Sequence, residues 1–283
     1  MKRKSMKSLL LFMALAFVLI ISACGQSKNT QQESATNGTA GEQQEPAKKK
    51  LLVGTDAAYP PFENIEGGNI VGFDIDLVSA VLEEAGYEFE VQHTGWEPLF
   101  QNLQNGSVDI GISAITITED RKKTYDFSVP YFEASQMILV PEGSSVKTYQ
   151  DLKDKVIGVQ NGTTGDIKAQ ELLGEKSTDI KKYETTPLAI MAMTKKESEG
   201  VIADNAVVKY YVANNPDAKV VAIEDSNSFE SEFYGLMVQK GNDQLREAVN
   251  AALNTVMDNG KYAEIYKKWF GDEPDIEKLK AQQ

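Results

Sequence analysis

Gly72-Phe73-Asp74-Ile75-Asp76-Leu77 opens the stretch whose reading decides the fold. Ile75, Leu77, Val78, Val81, Leu82 and Ala85 recur at helical spacing and trace one face, and Gly86 stands where such a helix ends. Before it lies the apolar run Leu51-Leu52-Val53 with a Pro-rich turn, and after it Phe89 and Val91 alternate as in a strand. A second helix is predicted through Leu99 and Leu103, and Val108 to Ala114 reads as the next strand. Strands alternating with helices in this way predict an α/β lobe built from crossover connections.

The pattern then restarts. Val156 to Val159 reads as a strand, followed by a helix from Asp166 to Leu173, a strand near Ile180, a helix from Pro187 and a strand at Val201-Ile202-Ala203. There is an internal echo: the segment from Leu103 to Ile110 leads into one strand as Lys195 to Gly200 leads into Val201. A repeated helix–strand unit predicts two similar lobes. Leu245, Val249, Leu253 and Val256 form a further helical stripe, and a terminal amphipathic helix runs through Tyr262, Ile265, Tyr266 and Trp269.

The N-terminus bears on the compartment. Lys2, Arg3, Lys4 and Lys7 precede an unbroken apolar run of 13 residues, Leu9 to Ile21. That run is short for a bilayer span and right for the core of a signal peptide. It ends in Ile21-Ser22-Ala23-Cys24, at the chain's one cysteine. This resembles a bacterial lipobox, with Ile21 where the commonest form has Leu. It implies removal of residues 1–23, acylation (diacylglyceryl and palmitate) of Cys24, and a protein lipid-anchored to the cell membrane on its extracytoplasmic face. Residues 24–50 are polar and nearly free of apolar side chains, the composition of a disordered tether. Loss of residues 1–23 removes four positive charges and no acid, so the net charge of −13 becomes −17. An acidic body argues against nucleic acid as a partner.

From Leu51 to Gly271, six collinear blocks resemble the extracellular solute-binding family that serves polar amino-acid transporters. They are Gly54 to Phe62, Gly72 to Leu77, Ile115 to Arg121, Tyr125 to Ser128, Gly158 to Thr164 and Tyr262 to Phe270. Leu82 departs from the pattern where a small residue is usual, and Lys196 and Glu199 stand where relatives often have Gly and Asp. The resemblance implies a two-lobe periplasmic-binding-protein fold of type II with a hinge. Lobe 1 would take residues 51–132 and 233–283, and lobe 2 residues 137–228, with crossovers near 132–138 and 229–236. It implies capture of a free amino acid by hinge closure and its delivery to the permease and ATPase of an ABC importer, by a monomer without cofactor or metal.

Holding a zwitterion away from water requires an anion site and a cation site. The resemblance assigns the carboxylate clamp to Arg121, with Thr116 and main-chain groups of Ser113 and Ala114. It assigns the ammonium partner to Asp204, with further lobe 2 contacts from Thr163 and Thr164. Without the surrounding motif, Arg121 in Glu119-Asp120-Arg121-Lys122-Lys123 would read as a solvated charge, and Asp204 as a helix cap before Asn205. Tyr59 and Trp96 match aromatic positions that face the ligand side chain in relatives, with core packing as the alternative. Asp56, and less directly Gln160, are the candidates for its polar end. An aromatic pair and a carboxylate suit a guanidinium or ammonium group, and Gly95 to Phe100, Glu184 to Thr186 and Asp204 to Ala206 most resemble arginine/lysine/histidine binders. Glutamine and other polar amino-acid binders share much of this frame. An exported dehydratase of the same fold is the enzymatic alternative. Against it, His93 is the one histidine, no thiol is left once Cys24 is acylated, and no metal spacing, phosphate loop or nucleophile elbow occurs.

Overall fold

The computed structural model describes residues 50–283. The predicted signal peptide, Cys24 and the tether up to residue 49 lie outside the described residues. β1 (Leu51–Thr55) leads into a small antiparallel meander of β2 (Ala58–Tyr59), β3 (Glu63–Glu66) and β4 (Asn69–Val71). Then follow α1 (Phe73–Glu84), β5 (Phe89–His93), α2 (Trp96–Gln104), β6 (Ile110–Gly111), α3 (Glu119–Lys122) and β7 (Tyr125–Phe127). β8 (Phe132–Ala134) crosses to a second lobe of β9 (Gln136–Pro141), β10 (Ile157–Gln160), α4 (Thr164–Leu173), β11 (Ile180–Tyr183), α5 (Thr186–Thr194), β12 (Gly200–Asp204), α6 (Asn205–Asn214) and β13 (Val220–Ile223). β14 (Glu232–Tyr234) returns the chain to the first lobe, completed by β15 (Met237–Gln239), α7 (Asp243–Asp258), α8 (Lys261–Phe270) and α9 (Ile276–Lys280).

The two lobes repeat one topology. The sheets run β5-β1-β6-β15-β7 and β11-β10-β12-β9-β13. In each, three parallel strands are joined to an antiparallel strand that follows a crossing: β15 pairs with β6 and β7, and β9 with β12 and β13. The crossing strands β8 and β14 pair antiparallel with each other, Phe132 opposite Tyr234 and Ala134 opposite Glu232. This hinge is shorter than the crossovers predicted from sequence, because Gln136 onward already belongs to the second sheet and Met237 onward to the first. Phe132 and Tyr234 stack at 5.4 Å between centroids, within a ring cluster that includes Phe62, Phe73 and Phe270 of lobe 1. The hinge is thereby packed onto lobe 1.

Two sequence readings shift in register. α1 buries Phe73, Asp74, Leu77, Val78, Val81 and Leu82, while Ile75 and Ala85 are only half-buried. The buried face starts at Phe73, two residues before the apolar pattern, and takes in an aspartate. The strand expected over Val108–Ala114 is confined to Ile110–Gly111, since beyond Gly111 the chain leaves the sheet for the cleft. Gly72, before α1, has φ +150°, and a Cβ there would lie 1.9 Å from the Phe62 carbonyl oxygen. No other residue fits that approach.

The internal echo is a matched pair of contacts. Asp109 donates its N–H to the Leu52 carbonyl and accepts the Leu52 N–H on its carboxylate at 3.0 Å. Glu199 does the same with Val156, accepting at 3.1 Å. Three residues before each acid the backbone is left-handed, Gly106 at φ +77° and Lys196 at φ +67°. Lobe 2 thus places an exposed lysine in a conformation that suits glycine. Lys196→Gly is expected to stabilise the fold by about 0.5–1 kcal/mol, the left-handed cost less the unfolded-state entropy of glycine. Calorimetry should find the Tm raised by about 1–4 °C for a chain of this size.

Candidate functional site

The parallel strands of both lobes end at one cleft, where open α/β sheets carry their ligands. Asp56 follows β1, Ser113 to Thr116 follow β6, Gln160 ends β10, and Asp204 ends β12. All eleven residues predicted to meet a ligand line one cavity between the lobes.

Asp204 is the first residue before α6, yet its side chain makes no capping bond. It is turned into the cleft, where Oδ1 accepts from Gln136 Nε2 and Oδ2 from the Tyr234 hydroxyl, both at 2.5 Å. The Tyr59 hydroxyl also reaches it. Burial pushes its pKa up to about 6, with the Glu232 charge adding to the rise and these hydrogen bonds opposing it. On the lobe 1 side, Arg121 is held from several directions. Nη1 donates to the Thr116 carbonyl at 2.8 Å and Nη2 to the Gly162 carbonyl of lobe 2 at 3.3 Å. The guanidinium carbon lies 5.2 Å from the centroid of Trp96 and 5.4 Å from that of Phe100. Burial lowers its pKa to about 10, with Glu232 and Asp204 working against the drop, so it stays charged at neutral pH. Trp96 and Tyr59 therefore do more than line the cavity, since one supports Arg121 and the other Asp204.

At the other end, Asp56 Oδ2 accepts from Gln160 Nε2 at 2.9 Å across the cleft, and burial raises its pKa. The Gln160 amide is fully engaged, donating also to the Glu184 carbonyl and accepting from the Thr186 hydroxyl. His93 lies 4.0 Å from Asp56, but its Nδ1 accepts the Ala57 N–H at 2.9 Å. It thus pins the loop that carries Asp56 and is more than a strand-surface residue.

Several predicted contacts are already committed inside the protein. Ser113 donates its hydroxyl to Glu63 and accepts the Asp56 N–H, and the Ala114 N–H goes to Asp74 at 2.7 Å. The main-chain donor expected of Ala114 is thus spent. The Thr163 hydroxyl caps α4 through the Asp166 N–H. Thr116 and Thr164, one from each lobe, both donate their hydroxyls to Glu232 Oε2 at 2.8 Å. Glu232, on the hinge strand, was not legible in sequence: Glu230-Ser231-Glu232 reads as a solvated run. Gln136 and Tyr234 likewise carry no local signal. Among the described residues, no group of three or more His, Cys, Asp or Glu is arranged to hold a metal ion.

Two similar lobes that enclose a cavity with an arginine on one wall and a carboxylate on the other define a protein that takes up a small charged solute. The model of the bacterial extracellular solute-binding proteins, family 3, matches residues 51–272, and the chain belongs to that family. A probable histidine-binding protein of Neisseria gonorrhoeae is 38% identical over 258 residues, 90% of this chain and 92% of that one. The arginine-binding extracellular protein ArtP of Bacillus subtilis (strain 168) is 34% identical over 94% of this chain and 99% of its own length. The arginine-, lysine-, histidine-binding protein ArtJ from Geobacillus stearothermophilus superposes with a TM-score of 0.80 at 54% identity, over 82% of this chain and 100% of that one.

The Asp204 environment makes opposed predictions for two conservative changes. Tyr234→Phe removes a donor to the ionised form and should raise the Asp204 pKa above 6. Glu232→Gln removes a like charge and should lower it. Carbon-detected NMR titration of the Asp204 carboxyl measures both shifts, and shifts of the same sign would contradict this account of the site.

Proposed function

We propose that this protein captures a free basic amino acid, arginine with lysine and histidine, outside the cell and delivers it to the permease and ATPase of an ABC importer. The observation that carries the reading is the placement of Arg121 and Asp204 on different lobes, facing one cavity. The ligand's carboxylate pairs with the guanidinium, whose planar fork accepts two oxygens at once. The N-terminus of α4, at Thr163 and Thr164, adds a favourable end for an anion. The ammonium takes Asp204. A ligand gripped from both lobes binds the closed form better than the open one and shifts the hinge towards closure.

The side-chain end of the cavity supports a cationic ligand. Asp56 is buried there, and Glu184 lies close enough for its charge to raise the Asp56 pKa further. Gln160, whose amide would otherwise suit a glutamine side chain, is occupied by Asp56, Glu184 and Thr186. Relatives named for histidine and arginine agree with this direction. The task is binding without chemical conversion, by a monomer held to the outer face of the cell membrane through acylated Cys24.

Titration calorimetry with arginine and glutamine tests the ligand. Arg121→Lys is expected to weaken both, by about 2–5 kcal/mol, the scale for truncating one partner of a buried charge pair. Asp56→Asn should weaken arginine by about tenfold or more and change glutamine little, because only the cation uses that charge. If glutamine binds wild type more tightly than arginine, the basic-ligand reading fails and the general clamp stands.

The anchor has its own test. Cys24→Ser should leave an unprocessed precursor or release protein into the medium, read by cell fractionation and mass of the N-terminal peptide. Normal processing with membrane retention would rule the anchor out.

A further inference from the structure

Beneath the lobe 1 wall of the cavity lie two carboxyl groups that ligand binding does not use. Glu63 on β3 and Asp74 on α1 are both 0% exposed. Glu63 Oε1 accepts the Ser113 hydroxyl at 2.7 Å. Asp74 Oδ2 accepts the Ala114 N–H at 2.7 Å and the Tyr131 hydroxyl at 2.8 Å. The remaining oxygens, Glu63 Oε2 and Asp74 Oδ1, are buried and find no donor. The two carboxyl groups are within hydrogen-bonding reach of each other.

We propose that Glu63 and Asp74 hold one proton between them, Glu63 as the acid and Asp74 as the carboxylate, and that this pair positions the Ser113–Ala114 segment of the ligand site. Two ionised carboxylates in contact away from water repel, and neither can donate to the other. A single proton removes one charge and supplies the missing donor: Glu63 Oε2–H to Asp74 Oδ1. The charge stays on Asp74 because two donors already point at it, whereas Glu63 has one. The ionisable groups that act on the pair are Asp56, Tyr59, Tyr131 and Tyr262, and none is a cation that would compensate a second charge. In keeping with this, burial holds Glu63 well above the usual carboxylate range and brings Asp74 to about 7.

The pair is connected directly to the cavity wall. The Ser113 hydroxyl, oriented by Glu63, receives the Asp56 N–H at 3.2 Å. Ala114, held through its N–H by Asp74, sits at φ +45°, a left-handed conformation that an alanine does not choose unaided. Glu63 and Asp74 are positioning residues. Their effect on amino-acid affinity rests on the proposed function, and the shared proton itself does not.

Amide substitutions separate the possibilities. In Glu63→Gln the amide N–H₂ takes the place of the proton, and in Asp74→Asn the new N–H₂ donates to an ionised Glu63. Either single change keeps one donor facing one acceptor, so arginine affinity should stay within about threefold. The double variant sets two N–H₂ groups against each other and should bind at least about tenfold more weakly, the scale of a lost buried hydrogen bond. The second readout is pH. The folded state keeps a proton that the unfolded chain releases, so this stabilisation is full below the unfolded carboxyl pKa and is lost as pH rises through the folded value. The Tm of wild type should therefore fall relative to Glu63→Gln as pH rises above the unfolded glutamate value of about 4.3, and infrared spectra of wild type above pH 7, where Asp74 is ionised, should contain a protonated-carboxyl band that Glu63→Gln lacks. Parallel Tm curves with no such band would overturn the proposal, as would a double variant that binds and melts like the singles. Should the double variant not fold, the band and the Tm curves decide. If wild type binds no amino acid, the proposed function falls while those two measurements still judge the proton.

Discussion

A carboxylate kept out of water needs donors around it, and Asp204 sets that demand at the centre of this protein. The donors come from three places: Gln136 at the start of lobe 2, Tyr234 on the returning hinge strand and Tyr59 on lobe 1. The returning crossing therefore serves the charge as well as the connection. Tyr234 also stacks on Phe132 across the hinge, so one side chain links the electrostatics of the site to the packing of the joint. Removing an oxygen there would alter the ionisation of the site before it altered the fold.

The rest of the cleft follows the same logic of buried charge. Arg121 faces Asp204 and Glu232, and Glu232 draws one threonine hydroxyl from each lobe. Asp56 is tied to Gln160 across the gap. These contacts span the lobes, so they form or break with hinge movement. On the proposed function, an amino acid that adds its own carboxylate and ammonium would join a network already organised for opposite charges, which limits the reorganisation that binding requires.

The duplicated lobe explains why one cleft collects so many functional groups. Each sheet presents the carboxyl ends of its parallel strands to the same gap, and each lobe closes its central helix–strand turn with the same reciprocal backbone clasp, through Asp109 and Glu199. The clasp needs an acid and a left-handed residue three positions earlier. Lys196 shows that the second requirement is met at some conformational cost, where Gly106 meets it freely.

By itself the sequence determined the α/β alternation, the two-fold repeat and the family motif, because helical and strand periodicities are local and six ordered blocks do not recur by chance. The motif was enough to name eleven residues that line one cavity, Arg121 and Asp204 among them. The tertiary structure alone decided how those residues spend their hydrogen bonds. Ser113, Ala114, Thr163 and Gln160 are committed to partners inside the protein, as far as 104 positions away in sequence for Gln160 and Asp56. It also decided that Glu63 and Asp74 are buried and that Glu232 bonds a threonine from each lobe. Acids in polar or amphipathic stretches look solvated in sequence, and their burial depends on elements brought together from distant parts of the chain. Hydrophobic pattern is written along the chain, whereas the pairing of buried charge depends on which distant groups the fold sets side by side.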